Sequence, residues 1–344
     1  MRLNQEAKQL MVASASPDKQ VAQAARQKIA AQIQDVLQTS LAVDTPIREG
    51  KMDGPIGEDI FTVDTVDDQS FNSSVEYPIH WLKPGEEGDY IAYTVPTHGS
   101  IDGRIISADY VQVPVYDTVN GIDWDVKFMK AARGNILAEA TNVLRAGFVQ
   151  KRNDDKFHVL LAAGASRNVI AADSDAAAGQ FSVRLLTVMQ QLMRRNGGGN
   201  SSSMDRVKLT DLVISPEGMY DMRSWNVDQI DEVTRREIFT TADGTLNRIF
   251  QTNIRDYDEF GEGQKYQTYY TSTLSGSLPS AGNQKLEVCL GLDLTTNNAF
   301  VNPVQETLQI REDPQERDRK WGVYGWETAG YAVLDSRRVL LGAF

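Results

Sequence analysis

The stretch LVISPEGMYDM, Leu212–Met222, carries the change from strand to helix around which the rest of the chain can be ordered. Leu212, Val213 and Ile214 are a short apolar run of the kind a buried strand shows. Ser215 follows as an N-cap, Pro216 takes the first helical position, and Glu217 stands near the positive end of the helix dipole. Over the wider run Leu209–Trp225, a buried strand enters a helix, which predicts an α/β lobe. On the upstream side Phe181, Leu185, Val188, Met189, Leu192 and Met193 recur at helical spacing. That helix ends in Arg194-Arg195 before the breaker Gly197-Gly198-Gly199. Downstream, Lys285–Leu294 alternates. Leu286, Val288, Leu290, Leu292 and Leu294 take one face, with Glu287, Cys289, Gly291 and Asp293 on a polar one. Small-residue loops lie at Gly197–Met204 and Ser275–Asn283. The run ETLQIRED, Glu306–Asp313, reads as a charged link to a strand-rich ending, Trp321–Phe344.

Further out, the amino-terminal side changes character twice. Ser16-Pro17-Asp18 opens a helix on which Val21, Ala25, Ile29, Ile33, Val36 (or Leu37) and Leu41 form a thin apolar stripe that needs a partner surface. Residues 43–122 are rich in Gly and Pro and read as strands and loops. Asp89–Pro96 and Arg104–Val115 are β-rich runs joined by THGSIDG, a long hairpin too polar to make a core of its own. From about Asp125 to Ala163 the pattern is helical, with Met129, Ala132, Ile136, Ala140, Val143, Leu144 and Gly147 on one face and Gly164 as a stop. Such a helix is roughly 58 Å long at its full extent.

With 344 residues the chain is longer than one hydrophobic core usually serves, so two lobes or large extensions are expected. Lys and Arg number 35 and Asp and Glu 47, a formal net charge of −12, which excludes a protein that wraps nucleic acid through a basic surface. The surplus is local. Residues 46–115 hold 4 basic and 13 acidic groups, net −9, while 1–45, 116–165 and 166–344 come to +1, +1 and −5. A single cysteine, Cys289, excludes a disulfide framework and multi-cysteine metal sites. MRLNQEAKQL lacks the apolar core of a signal peptide, and no stretch is apolar for long enough to span a bilayer as a helix.

Signatures of chemistry are missing at the places they would occupy. There is no phosphate-cradling GxxxxGK[ST] loop, no HExxH and no GxSxG elbow. His80, His98 and His158 are scattered in sequence. Asp256-x-Asp258-x-Phe260-Gly261 begins like a calcium loop, but Phe260 and Gln267 stand where oxygen ligands are required. Cys289 has no neighbouring base in sequence, and the pairs Asp67-Asp68, Glu86-Glu87 and Asp154-Asp155 read as solvated surface. The residues predict no catalytic, cofactor or metal site and no enzyme.

The derived order is a helical arm, an acidic hairpin, a long helix, an α/β lobe and a terminal β return. It resembles the major capsid protein of tailed bacteriophages, the Hong Kong ninety-seven-like fold that encapsulin shells also use. Three stretches carry the likeness: the passage Asp89–Gly164 from hairpin to long helix, LVISPEGMYDM, and the closing WETAGYAVLDSRRVLLG, Trp326–Gly342. The resemblance implies an α+β fold in five parts. These are an N-terminal arm (1–45), peripheral-domain strands with an extended hairpin loop (46–122), a spine helix (123–175), an axial domain (176–310) and a return to the peripheral domain (311–344).

It further implies a structural protein that assembles into an icosahedral capsid around double-stranded DNA in the cytoplasm of a bacterial host. Copies of itself in hexamers and pentamers are the main partners. Scaffolding, decoration and portal proteins are further ones, and DNA is held only non-specifically. An encapsulin-like compartment with enzyme cargo is the nearest alternative, and a β-rich carbohydrate-active enzyme a more distant one. Contacts between subunits are expected at Val21, Ile29 and Ile33 of the arm and at Lys83, Glu86, Glu87, Asp89 and Asp102 in and beside the hairpin. Arg145, Lys151, Arg152 and Lys156 on the long helix are the expected basic partners of the −9 stretch. Lys83 is the only lysine just before the hairpin, and no partner for a crosslink can be assigned to it.

Overall fold

The structure is a computed structural model that describes residues 60–66, 74–79, 109–125, 136–165, 168–170, 179–196, 207–225, 248–276, 278, 286–296, 299–315 and 320–344. Ser215 caps its helix as the sequence predicts. Its side chain accepts a hydrogen bond from the Gly218 N–H, at the start of a helix that spans Pro216–Ser224. The strand before it, β6 (Asp211–Ile214), is buried at every position. It lies within a six-stranded mixed sheet of order β5-β13-β9-β6-β8-β7. The other members are β5 (Asn168–Ile170), β7 (Arg248–Ile249), β8 (Thr252–Asp256), β9 (Val288–Leu292) and β13 (Val339–Ala343).

Both faces of this sheet are covered, and the residues alternate between two cores as a period of two requires. Leu212, Ile214, Cys289 and Leu340 face Leu185, Leu186, Met189 and Met193 of one helix and Met219 and Met222 of another. The intervening Val213, Val288, Leu290, Val339 and Leu341 face Phe157, Leu160 and Leu161 together with the aromatic group Tyr257, Phe260, Tyr266 and Tyr270. In chain order the helices are α1 (Ile136–Ala165), α2 (Val183–Asn196), α3 (Pro216–Ser224) and the short α4 (Lys265–Thr268), which runs on into a π turn at Tyr269–Thr273. Gly291 and Gly342 let α2 approach the sheet, because a Cβ at either would meet the Met189 side chain.

This corrects the expectation of a half-exposed strand at 285–294. Glu287 and Asp293 are buried because each has a distant partner. The Ser215 hydroxyl donates to Glu287, and Arg338 donates to Asp293 at 2.6 Å. Cys289 is likewise enclosed, 3.8 Å from the Met189 sulfur.

A second sheet has the order β1-β10-β11-β4, with β12 (Ala332–Val333) beside β10. It comprises β1 (Thr62–Thr65), β4 (Tyr116–Asp125), β10 (Phe300–Gln315) and β11 (Lys320–Ala329). Glu306–Asp313 is thus part of a 16-residue strand rather than a link, since β10 and β11 pair as a long antiparallel hairpin. The boundary expected at 310/311 falls inside that strand, and the closing Val339–Ala343 returns to the six-stranded sheet between β5 and β9.

Asp125 ends β4, so the helix cannot begin there; the described helix covers Ile136–Ala165 and runs through Gly147, Gln150–Lys156 and Gly164. Ala140 and Leu144 are buried on it, whereas Val143 is exposed. Of the predicted hairpin, the described part is β3 (Asp109–Pro114). It pairs antiparallel with β2 (Ser74–Ile79), a strand the sequence reading did not single out. The run Asp89–Pro96 and the arm, residues 1–45, lie outside the described residues.

Candidate functional site

The five-stranded sheet meets α1 through small residues. A Cβ at Gly147 of α1 would collide with the Asn120 amide on β4, and the Phe148 ring lies against Gly325 on β11. Between α1, β4 and the end of β11 runs an open groove of about 770 Å³, lined among others by Thr118, Asn120, Lys151, Asp155, His158 and Glu327.

The basic residues beside this groove are already engaged within their own chain. Lys151 donates to Asp155 one turn along at 2.6 Å. The Arg152 guanidinium grips both Glu327 oxygens as a fork, a geometry suited to carboxylate. Lys156 is buried, with its ammonium 5.4 Å from the centre of the Tyr331 ring. Arg152 and Lys156, expected to face a neighbour, thus each have a partner within their own chain. Lys151 keeps an exposed ammonium while it holds Asp155.

Where α1 joins the lobe, Asp154 accepts from Lys265 at 2.5 Å and from the Tyr266 hydroxyl at 3.1 Å. His158 stacks on Tyr269 with ring centres 4.0 Å apart. Burial pushes the His158 pKa below its ordinary value, against the opposing pull of Asp154 and Asp155.

The opposite face of the sheet carries an aromatic ladder. Residues opposed across β4 and β11 share a face, and Val119 lies opposite Trp326, Gly121 opposite Tyr324. Tyr324 and Trp326 stack at 5.5 Å, the Arg311 guanidinium sits 4.7 Å from the Trp326 ring, and the Trp326 indole N–H donates to Glu306 at 3.0 Å. Val119 is 63% exposed beside them, and Tyr116 and Tyr110 stand exposed on β4 and β3. Strand β4 is an outer strand of the sheet among the described residues. Exposed sheet edges of this length usually pair or are covered.

Val21, Ile29, Ile33, Lys83, Glu86, Glu87, Asp89 and Asp102 lie outside the described residues, as does the side chain of Arg145. The sequence reading missed Tyr116, Val119, Tyr324 and Trp326. The alternation Trp321, Val323, Gly325 against Tyr324, Trp326 was the available signal. Cys289 makes a poor nucleophile, because burial pushes its thiol up to about 12. Among the described residues no cluster of His, Cys, Asp and Glu could hold a metal, and no helix is long and apolar enough to cross a membrane.

No protein-family model matches the chain, and no curated protein matches its sequence. Solved structures do. The capsid structure of cyanophage P-SCSP1u superposes with a TM-score of 0.56 at 13% identity, over 83% of this chain and 86% of that one. The mature capsid of bacteriophage PhiM1 gives 0.55 at 11% identity, over 86% and 89%. The capsid of cyanophage Pam1 gives 0.56 at 12% identity, over 83% and 88%. The fold is the α+β Hong Kong ninety-seven-like fold of phage capsid proteins.

Proposed function

We propose that the chain is the major capsid protein of a tailed bacteriophage, a structural subunit that assembles in many copies into an icosahedral shell around double-stranded DNA. The observation that carries this reading is the pairing of that fold with an uneven distribution of burial. The six-stranded sheet is closed on both faces, whereas the five-stranded sheet leaves Val63, Tyr116 and Val119 exposed. Isolated apolar residues at a surface need no explanation, but a whole strand edge with its aromatic ladder fits a surface that a neighbour covers. Each such contact is weak, and repetition around closed symmetry makes the shell stable.

In this reading the sheet of β1, β10, β11 and β4 with α1 is the peripheral domain, and the six-stranded sheet with α2 and α3 is the axial domain. The hairpin within residues 46–122 is the extended loop that lies over an adjacent subunit, and residues 1–45 are an arm that a neighbour holds. The virion capsid is its location, assembly takes place in the host cytoplasm, and no catalytic step is involved. Scaffolding, decoration and portal proteins are partners of the same reading. Sedimentation and electron microscopy of the purified chain, alone and with a co-expressed scaffold, test it. Hollow particles or rings of five and six copies are expected. A monomer under every assembly condition overturns the proposal.

A further inference from the structure

We infer that Tyr77 and Asp64 form a brace that fixes the direction in which the hairpin leaves the open sheet, and that both are positioning residues for its contact with a second copy. The inference rests on the shell-forming reading above. It begins from a ribbon too small to hold itself. Strands β2 and β3 pair over six residues each, and an isolated two-stranded ribbon is marginal in water. Its two faces differ. Val75 lies opposite Val113 and Tyr77 opposite Val111, which makes one face apolar. The other carries Glu76 and Gln112, bonded to each other at 3.1 Å. Val113 is buried, whereas Tyr110 on the second face is exposed, so the apolar face is the one turned to the body.

The ribbon is held at three points on the end of the five-stranded sheet. Thr65, Val304, Ala329 and Tyr116 form one row across that sheet, from β1 at one edge to β4 at the other. Beside Tyr116, the buried Val115 alone separates β3 from β4. Beside Ala329, Gly330 makes room for the ribbon, because a Cβ there would stand 2.3 Å from the Pro114 carbonyl oxygen and 3.2 Å from the Val115 side chain. Beside Thr65, Asp64 accepts from the Tyr77 hydroxyl at 2.9 Å. The ribbon thus continues one edge strand through its chain and ties the other through a side chain, across three strand spacings or about 14 Å.

Attachment at Val115 and Gly330 alone would leave the ribbon a pivot at one edge. A second tie at the far edge removes that freedom. Ile79 lies opposite Asp109 at the end of the ladder, so the ribbon's direction is the direction in which the chain leaves the sheet and returns to it. Burial, reinforced by the hydrogen bond to Asp64 and its charge, pushes the Tyr77 hydroxyl above its ordinary pKa, which keeps it a donor at neutral pH. The bond lies at the surface and contributes little to folding, yet a small change of angle at the base becomes a large displacement further out. A contact repeated in every copy is sensitive to that displacement.

The test uses the full chain. Tyr77→Phe keeps the ring and removes only the hydroxyl. In the free subunit it should speed amide exchange in β2 and β3 about tenfold while the thermal midpoint stays unchanged. Under conditions where the wild type assembles, particle yield should fall by a similar factor. Asp64→Ala should do the same, and Asp64→Asn, whose amide oxygen still accepts, should retain most of the yield. Tyr77→Phe combined with Asp64→Ala should be no worse than either alone, because both remove one bond. If Tyr77→Phe lowers the midpoint, Asp64→Ala at its exposed site carries the same comparison. Wild-type exchange or wild-type yield from both single variants, or losses that multiply in the double variant, overturns the brace and leaves the shell reading standing. A wild-type chain that never assembles overturns the shell reading and the positioning role together.

Discussion

In the six-stranded sheet, β9 and β13 are buried at every position, whereas in the five-stranded sheet β1 is exposed at all four and β4 is nowhere fully buried. Both sheets touch α1, so the difference does not come from one being remote. It comes from layers. The first sheet has helices on one side and α1 with an aromatic cluster on the other. The second has α1 on one side and, among the described residues, the half-exposed Tyr324–Trp326 ladder on the other. A sheet closed on both faces draws its stability from its own chain, and a sheet closed on one face leaves half of its area for something else.

The contrast can be broken most readily at the buried charges of the closed sheet. Arg338 is 2% exposed and bonds both Asp293 and Asp335, at 2.6 and 3.3 Å. Arg338→Met leaves two buried carboxylates without that cation and should cost about 3–5 kcal/mol in denaturant unfolding of the subunit. A loss under about 1 kcal/mol would mean that the lobe is less closed than its burial implies. A middle-sized effect is expected at the cap of α3. Ser215→Ala removes both the bond from the Gly218 N–H and the hydroxyl that donates to Glu287, and should cost about 1–2 kcal/mol by the same measurement. The smallest effect belongs to the open sheet. Val119→Thr keeps a β-branched residue at an exposed site and should shift subunit stability by no more than about 0.5 kcal/mol. Particle yield should nevertheless fall. Unchanged yield would remove Val119 from the contact surface.

Much of the lobe was legible because its signals are local. Ser215-Pro216-Glu217 specifies its helix start within three residues, and the spacing of Leu185, Met189 and Met193 specifies the buried side of α2. What misled lies far apart in sequence. Glu287 and Asp293 look like the wet side of a strand until Ser215 and Arg338 are seen beside them, 72 and 45 residues away. Glu306–Asp313 looks like a linker because β10 serves a sheet with one open face, where polar residues are tolerated. The basic residues of α1 looked available for the same reason: Arg152 finds Glu327 at a separation of 175 residues. Local pattern reports which residues form an element, and long-range pairing decides which of its charges remain to be used.

Helix α1 has a mechanical consequence. Its 30 residues run about 45 Å, with Phe148 seated on one sheet and Phe157, Leu160 and Leu161 embedded under the other. It therefore acts as a strut clamped at two stations, and one sheet cannot swivel against the other unless the rod bends or the Phe148 seat over Gly325 is vacated. A load applied to the open sheet is therefore carried along that rod, as compression or torsion, into the packed lobe.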